Sequence, residues 1–256
     1  MNKDIAAVYM LWLRAMKRFI RSPSQIIGSV AMPFLFLIFL SAGFSSVKFP
    51  GMPSNVNYID FLVPGILGMS MLFAATTAGI SLLWDRQFGF LKEVMVAPVK
   101  RISIMLGRTF GGITTAFLQS VLLVIFAIFI GFHIGSILSL LIAFGFMILI
   151  GLAFVSIGLI IASIMTDMQG FGLILNLLIF PLFFLSGAIY PINVLPNVVR
   201  YITYINPLTY GIDGMRGAFL HASIFPIWFD ALVLGIVALI LISIGALAFS
   251  KAKITI

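Results

Sequence analysis

The sequence predicts an all-α integral membrane protein, a single domain over residues 1–256 with six transmembrane helices, an N-terminal interfacial helix and an outer re-entrant helical hairpin. Of the 256 residues, 62% are hydrophobic and 9% are charged, against about 45–50% and about 25% in soluble domains. A soluble core of this length could not hide so much apolar surface. The charged residues are also spaced at about the length of one bilayer crossing.

The uncharged stretches between charged residues define the six predicted spans. One crossing needs about 20 mostly apolar residues. Arg21 and Lys48 enclose one such stretch, and Asp60 and Asp85 enclose another. The longer stretch from Thr109 to Thr166 is interrupted around residues 131–136 and is read as two spans. The predicted spans lie roughly at 26–44, 61–83, 104–130, 137–165, 171–190 and 228–249.

The basic residues predict that both termini are cytoplasmic in a multi-pass plasma-membrane protein. The chain has 15 Lys and Arg against 7 Asp and Glu. If both termini are inside, 12 of the 15 basic residues lie on the inner side. The three outer ones are Lys48, Arg200 and Arg216, and this excess inside is what the positive-inside rule describes. The positive charge is therefore assigned to orientation and not to a nucleic-acid partner. A signal peptide over residues 26–40, cleaved within 41–46, is an open but less favoured alternative, since its basic leader would be long.

Residues 1–22 predict a helix that lies flat on the inner membrane surface. At helical spacing, aromatic and aliphatic residues gather on one face and basic residues on the other. The basic face and its flank are formed by Lys3, Arg14, Lys17, Arg18 and Arg21, and the apolar face includes Trp12. The alternative is a positive flank that only sets the topology.

The inner loop, residues 84–103, predicts a short helix that docks into another protein. Phe88, Leu91, Val94 and Met95 form an apolar stripe at helical spacing. Lys92 and Glu93 flank the stripe, and Pro98 ends the helix before Lys100 and Arg101. A solvated loop is the alternative. Arg108, at the start of the next span, is expected to extend to the interface.

Residues 186–217, on the outer side, predict a re-entrant pair of short helices. The segment is too apolar for a free loop, yet its prolines and polar residues make it a poor spanning helix. Irregular backbone at membrane depth must be buried in protein or line a cavity. Asp213 and Arg216 lie three residues apart and are expected to form an exposed pair of little energetic value.

Several kinds of chemistry lack their sequence signals. No Gly-Lys dipeptide occurs, so the chain has no phosphate-binding loop and is not expected to hydrolyse ATP. The chain has no cysteine, its two histidines are far apart, and no acidic cluster suggests a metal site. Spaced small residues, Gly107 with Gly111, Ala75 with Gly79 and Gly158 with Ala162, fit either internal helix packing or dimerisation.

Two segments resemble the six-span membrane subunits of ABC-2 type transporters, most closely the drug-export, daunorubicin-resistance-like branch. GFLKEVMVAPVKRISIMLGR, residues 89–108, is similar to the loop that carries the coupling helix of this family. FLSGAIYPINVLPNVVRYITYINPLTYGIDGMRG, residues 184–217, is similar to its outer re-entrant region. The basic pair at Lys100 and Arg101 departs from the family, in which a Ser or Thr often precedes the basic residue.

The resemblance implies a permease subunit that is not itself an enzyme. It implies a separately encoded ATP-binding subunit, which holds the ATP and Mg, and a second permease copy. The substrate would be hydrophobic or amphipathic and would move outward. In this reading, the coupling residues are Phe88, Leu91, Lys92, Glu93, Pro98 and Arg101, and the outer gate is formed by Tyr190, Pro191, Asn206, Pro207, Tyr210, Asp213 and Arg216.

Two other functions remain open from the residues alone. A self-sufficient ion-driven carrier or channel would work without an ATPase, although such carriers commonly place ionisable groups in mid-span and this chain has none there. A lipid-modifying enzyme would need facing polar catalysts, and Gln119 and Asn176 are too few.

Overall fold

The computed structural model describes residues 3–44, 47, 50 and 56–251, without the side chains of Lys92 and residues 249–251. These residues form helices, with no strand in the described part of the chain. The helices are α1 Lys3–Ile20, α2 Pro23–Phe44, α3 Tyr58–Gln87, α4 Phe90–Val96, α5 Arg101–Ile130, α6 Ile137–Ile164, α7 Met168–Phe184, α8 Asn197–Ile205, α9 Pro207–Leu220 and α10 Ile227–Lys251. A 3-10 turn, Ile192–Val194, lies between α7 and α8.

Five described helices are long and apolar enough to cross a membrane: α2, α3, α5, α6 and α10. They coincide with five of the six predicted spans. The remaining predicted span, 171–190, overlaps α7, which is apolar but has 17 residues and ends at Phe184. Lys48, which the charge pattern places outside, lies beyond the described residues.

Polar side chains and glycine define the ends of several helices. Ser136 and Asp167 each accept hydrogen bonds from backbone N–H groups in the first turn of α6 and α7, and Asn206 does so for α9. These caps satisfy donors that have no partner within the helix. Gly131 ends α5 in the left-handed region (φ 109°), where a residue without Cβ is least strained.

Helix α3 lies at the centre of the bundle and packs against α2, α5, α6, α7 and α9. Its closest approach is to α6, where Gly158 faces the backbone of Ala75. A methyl group added at Gly158 would overlap the carbonyl oxygen of Ala75 and lie 2.7 Å from its carbonyl carbon. Gly107 and Gly111 similarly face α1. All these glycines therefore serve packing within the chain.

The bundle has two ends that carry different elements. At one, which we call the α4 end, Arg86 at the end of α3 donates a hydrogen bond to the carbonyl oxygen of Met165, just after α6. Helices α1 and α4 and the start of α5 lie here. At the other, the α9 end, the backbone N–H of His133 donates to Asp60 at the start of α3. Helix α9 lies toward this end.

Candidate functional site

The short helix predicted in the first loop is present, but its apolar stripe faces inward. Leu91 and Val94 pack against the core, and Met95 is buried. Phe88 is not part of the helix; it is the residue at which α3 ends, and 82% of it is exposed. The expectation that the whole stripe docks into a partner is therefore wrong. The exposed residues in and beside α4 include Gln87, Phe88, Glu93, Val96, Ala97, Pro98 and Lys100.

A buried carboxylate joins three helices next to α4. Asp85, near the end of α3, accepts hydrogen bonds of 2.7 Å from both terminal nitrogens of Arg14. On its other side it forms an ion pair of 2.9 Å with Arg108 of α5. The guanidinium of Arg14 also lies 3.6 Å from the centre of the Phe90 ring, at the start of α4. The cluster thus connects α1, α3 and α5 and contacts α4.

This cluster corrects the expectation for Arg108. Only 8% of the Arg108 side chain is exposed, so it does not extend to the interface. A buried charge is costly unless it is paired. In the sequence, Asp85 stands out only as the charged residue that ends a predicted span. Its position one turn before a loop, on the same side as the basic residues, is the only signal that could have identified it.

Helix α1 contacts α5 from the residue before α5 to about its middle. The backbone N–H of Lys100 and the hydroxyl of Ser103 donate to Asp4, at 2.9 and 3.0 Å. These hydrogen bonds, first the one from Lys100, hold the pKa of Asp4 below its usual value. The indole N–H of Trp12 donates to Thr114 at 3.0 Å. Lys17 and Arg21 are exposed, whereas Arg18 donates to Ser81 of α3.

A cavity of about 460 Å³ opens between α1, the start of α2, α3 and α5. Arg14, Arg18, Arg108 and Asp85 line it, together with hydroxyl groups such as those of Ser81 and Thr115. From sequence, these arginines are expected at the membrane surface, and no pattern in the sequence predicts a cavity.

Polar contacts join helices α8 and α9 to each other and to α7. The amide of buried Asn206, between them, donates to the carbonyl oxygen of Leu182 in α7 at 2.6 Å. The Tyr210 hydroxyl donates to the carbonyl oxygen of Tyr204. The Tyr190 hydroxyl donates to the carbonyl oxygen of Phe184. Pro191 is buried and Pro207 is half-buried.

Asp213 and Arg216 are buried, so the expectation of an exposed pair is wrong. Each uses backbone partners on other elements. Asp213 accepts from the N–H groups of Ile224 and Phe225, which fixes the turn before α10. Arg216 donates to the carbonyl oxygens of Phe61 and Ala188, and its guanidinium lies 3.6 Å from the centre of the Phe61 ring.

The segment that begins with α7 has contacts at both ends of α3. At the α4 end, the indole of Trp84 donates to the sulfur of Met168. At the α9 end, the Tyr58 hydroxyl donates to the carbonyl oxygen of Ile189. Tyr58 and Trp84 of α3 are 26 positions apart, which corresponds to about 39 Å along a helix.

Among the described residues, no group of three or more His, Asp or Glu side chains is placed to hold a metal ion. The profile of the ABC-2 type transporter family matches residues 6–220, most of the chain. The chain belongs to the ABC-2 type transporter family. This family is one of permease subunits and implies partnership with an ATP-binding subunit.

Several relatives are similar to this chain over most of their length. A putative transport permease ycf38 of Cyanophora paradoxa is 28% identical, over 96% of this chain and 89% of its own. Nodulation protein J of Rhizobium meliloti is 31% identical, over 75% of this chain and 73% of its own. The inner membrane transport permease YadH of Escherichia coli is 26% identical, over 92% of both chains. The chain is thus a multi-pass membrane permease.

Proposed function

We propose that this chain is the membrane subunit of an ATP-driven exporter and that the ATP-binding subunit docks on the exposed surface around α4. The observation that carries the proposal is the combination of a buried and an exposed face on this short helix. Leu91, Val94 and Met95 fix α4 to the bundle, while Phe88 and Glu93 remain exposed beside it. A helix attached in this way can pass a displacement on to the bundle, whereas a solvated loop would move without displacing the helices.

The Asp85 cluster connects α4 to the helices of the bundle, so that a displacement of α4 reaches them. Helix α4 is joined to α3 and α5 by only two and four residues. Arg14 contacts both Phe90 and Asp85, and Asp85 holds Arg108. A displacement of α4 is therefore passed to α1, α3 and α5 together. ATP and Mg stay on the partner, and this chain contributes the path through the membrane.

In this proposal the segment 168–190 is a sixth span. Its contacts with Trp84 and Tyr58 lie at opposite ends of α3, which itself is long enough to cross. The 17 residues of α7 are near the lower limit for a spanning helix. Six crossings would place α1 and the end of α10 on one side, which the charge pattern favours as the cytoplasm.

Cysteine labelling tests the sixth span, because the chain has no native cysteine. We expect a cysteine at Gln169, exposed at the start of α7, to react with a membrane-impermeant maleimide only from the cytoplasmic side. A cysteine at Tyr201, exposed on α8, should react only from the opposite side. Reaction of both cysteines from the same side would mean that this segment does not cross.

Helices α8 and α9 would form the re-entrant hairpin. Side chains of Leu208 and Ile212, at the start of α9, lie against Gly68 of α3. Arg216, two turns later, reaches Phe61. Along α3, these contacts differ by seven residues, or about 10 Å. Helix α9 therefore begins deeper along α3 than it ends, as the outward half of such a hairpin would.

The other features of the proposal rest on family likeness and surface character. Two copies of the chain would enclose the path, with α1 on the cytoplasmic side, packed along the first half of α5. The plasma membrane is favoured by the charge pattern and by the likeness to an inner membrane permease. A hydrophobic or amphipathic substrate, drug-like or lipid-like, fits the drug-export branch that the sequence resembles.

Reversing the charge of Glu93 tests the docking surface. We expect Glu93→Arg to leave membrane insertion intact, because the side chain is exposed. Transport and stimulation of the partner's ATPase activity should fall about tenfold or more, as expected when a like charge meets a docked surface. The measurement is ATP hydrolysis and substrate transport by the two subunits reconstituted together in proteoliposomes.

Lys17→Glu is the matched control, since it reverses an exposed charge on α1, away from α4. Its transport should equal that of the unchanged protein. Full transport by Glu93→Arg would contradict the docking role of Glu93. Transport by the purified chain alone, driven by an ion gradient without the ATPase, would contradict the exporter and favour an ion-driven carrier.

A further inference from the structure

The cavity at the α4 end carries an excess of positive charge. Three guanidinium groups line it, from Arg14, Arg18 and Arg108, and only Asp85 opposes them. The balance of three positive charges and one negative charge leaves a net charge of +2. Within a partly enclosed site this charge is less screened than it would be on an open surface. An anion would therefore be attracted into the cavity.

Arg108 is an arginine of this set that is paired directly with the buried carboxylate. It uses one terminal nitrogen to bond Asp85, while its Nε and its other terminal nitrogen are buried and have no partner among the described residues. Buried donors are nearly always satisfied, by protein, water or ligand. A guanidinium suits phosphate oxygens, which it can bind through two parallel hydrogen bonds.

The position of the cavity indicates where such an anion comes from. Helices α3 and α5 have 30 residues each, more than the about 20 that cross the hydrocarbon, so their ends extend into the headgroup layer. Polar groups of Ser24 and Gln25 line the cavity where α2 begins. Ala78 and Leu159 line it further into the bundle. The cavity thus combines a cationic part with an apolar wall.

We propose that this cavity binds the phosphate headgroup of an anionic phospholipid. Basic pockets between membrane helices are suited to such headgroups. The phosphate would lie among Arg14, Arg18 and Arg108, and the start of an acyl chain would lie along the apolar wall. A zwitterionic headgroup fits less well, because its ammonium group would meet the excess of arginine. The bound lipid would join α1 to the Asp85 cluster.

Trp84, which lines the cavity, provides a direct readout. The chain has three tryptophans, so Trp12→Phe and Trp228→Phe together leave Trp84 as the single fluorophore. We place this full-length protein in phosphatidylcholine vesicles that contain brominated phosphatidylglycerol or, at equal mole fraction, brominated phosphatidylcholine. Bromine quenches nearby indole fluorescence. We expect phosphatidylglycerol to bind about tenfold more strongly at Trp84.

Variants assign this preference to the arginines. Arg18→Gln removes a half-buried cation outside the Asp85 ion pairs and should lower the preference about fivefold. Arg108→Gln should lower the preference for phosphatidylglycerol further. If the Arg108→Gln protein does not fold, Arg18→Gln alone still tests the proposal. Lys17→Gln, which removes an exposed charge from the same helix but outside the cavity, should lower the preference at Trp84 much less. Equal effects of Arg18→Gln and Lys17→Gln would overturn the proposal.

Inorganic phosphate distinguishes the two sources of the same anion. When it is added to the vesicles, the quenching by brominated phosphatidylglycerol should persist, because the lipid is also held by its chains. Loss of that quenching in phosphate would mean that the cavity takes free phosphate, which overturns the lipid assignment. Equal quenching by both brominated lipids would overturn it as well.

Discussion

Gly158→Ala is expected to destabilise the whole bundle by about 3 kcal/mol or more, at the upper end of the usual cost of overpacking. The added methyl group would overlap the backbone of Ala75, and backbone cannot move aside as a flexible side chain can. Helices α3 and α6 would have to separate, although α3 is the centre of the fold. The melting temperature of the purified protein in detergent should fall by on the order of 10 °C.

Gly145→Ala is the matched control on the same helix. An added methyl group there meets no described residue within 4 Å, and the residue is exposed. Alanine favours helix over glycine, so this variant should melt at the same temperature or slightly higher. If Gly158→Ala and Gly145→Ala melt together, the close contact between α3 and α6 does not exist as described.

Asp85→Ala is expected to cost about 3–5 kcal/mol, because it leaves the buried charge of Arg108 without its partner. Arg14→Ala should cost less, about 1 kcal/mol, since 40% of the Arg14 side chain is exposed and Asp85 keeps Arg108. The two variants therefore lose different amounts of unfolding free energy, although both break hydrogen bonds of the Asp85 cluster. Thermal unfolding in detergent measures both.

The double variant Asp85→Leu with Arg108→Met separates pairing from packing. Replacing a buried ion pair with apolar side chains of similar size is often neutral or stabilising. We expect this variant to regain most of the stability lost in Asp85→Ala. A loss as large as that of Asp85→Ala would show that the ion pair itself, and not the unpaired charge of Arg108, determines the stability.

The spans and the short helix α4 were predictable because they depend on local sequence. An uncharged stretch of about 20 residues has few folds open to it in a membrane. For that reason the gaps between charged residues predicted α2, α3, α5, α6 and α10. The helix ending before Pro98 was equally local, since proline restricts its own backbone and that of the residue before it.

Side-chain partners that are distant in the sequence were not predictable. The stripe on α4 could pack inward or outward, and periodicity alone does not decide between these. Arg108 and Arg216 looked like ordinary residues near an interface. Their partners, Asp85 for one and the carbonyl oxygens of Phe61 and Ala188 for the other, are 23 to 155 residues away along the chain. The arginine-lined cavity follows from these same contacts.

Arg216 has a consequence for how the α9 end can move. Its single guanidinium joins the start of α3, the turn at Ala188 and α9. Any rearrangement that preserves these bonds carries the three elements together as one rigid body. Helix α8, whose outer face is exposed, is tied to α9 by the hydrogen bond that Tyr210 donates to Tyr204. A tilt of α9 alone would therefore break the bonds of Arg216 and strain those of α8.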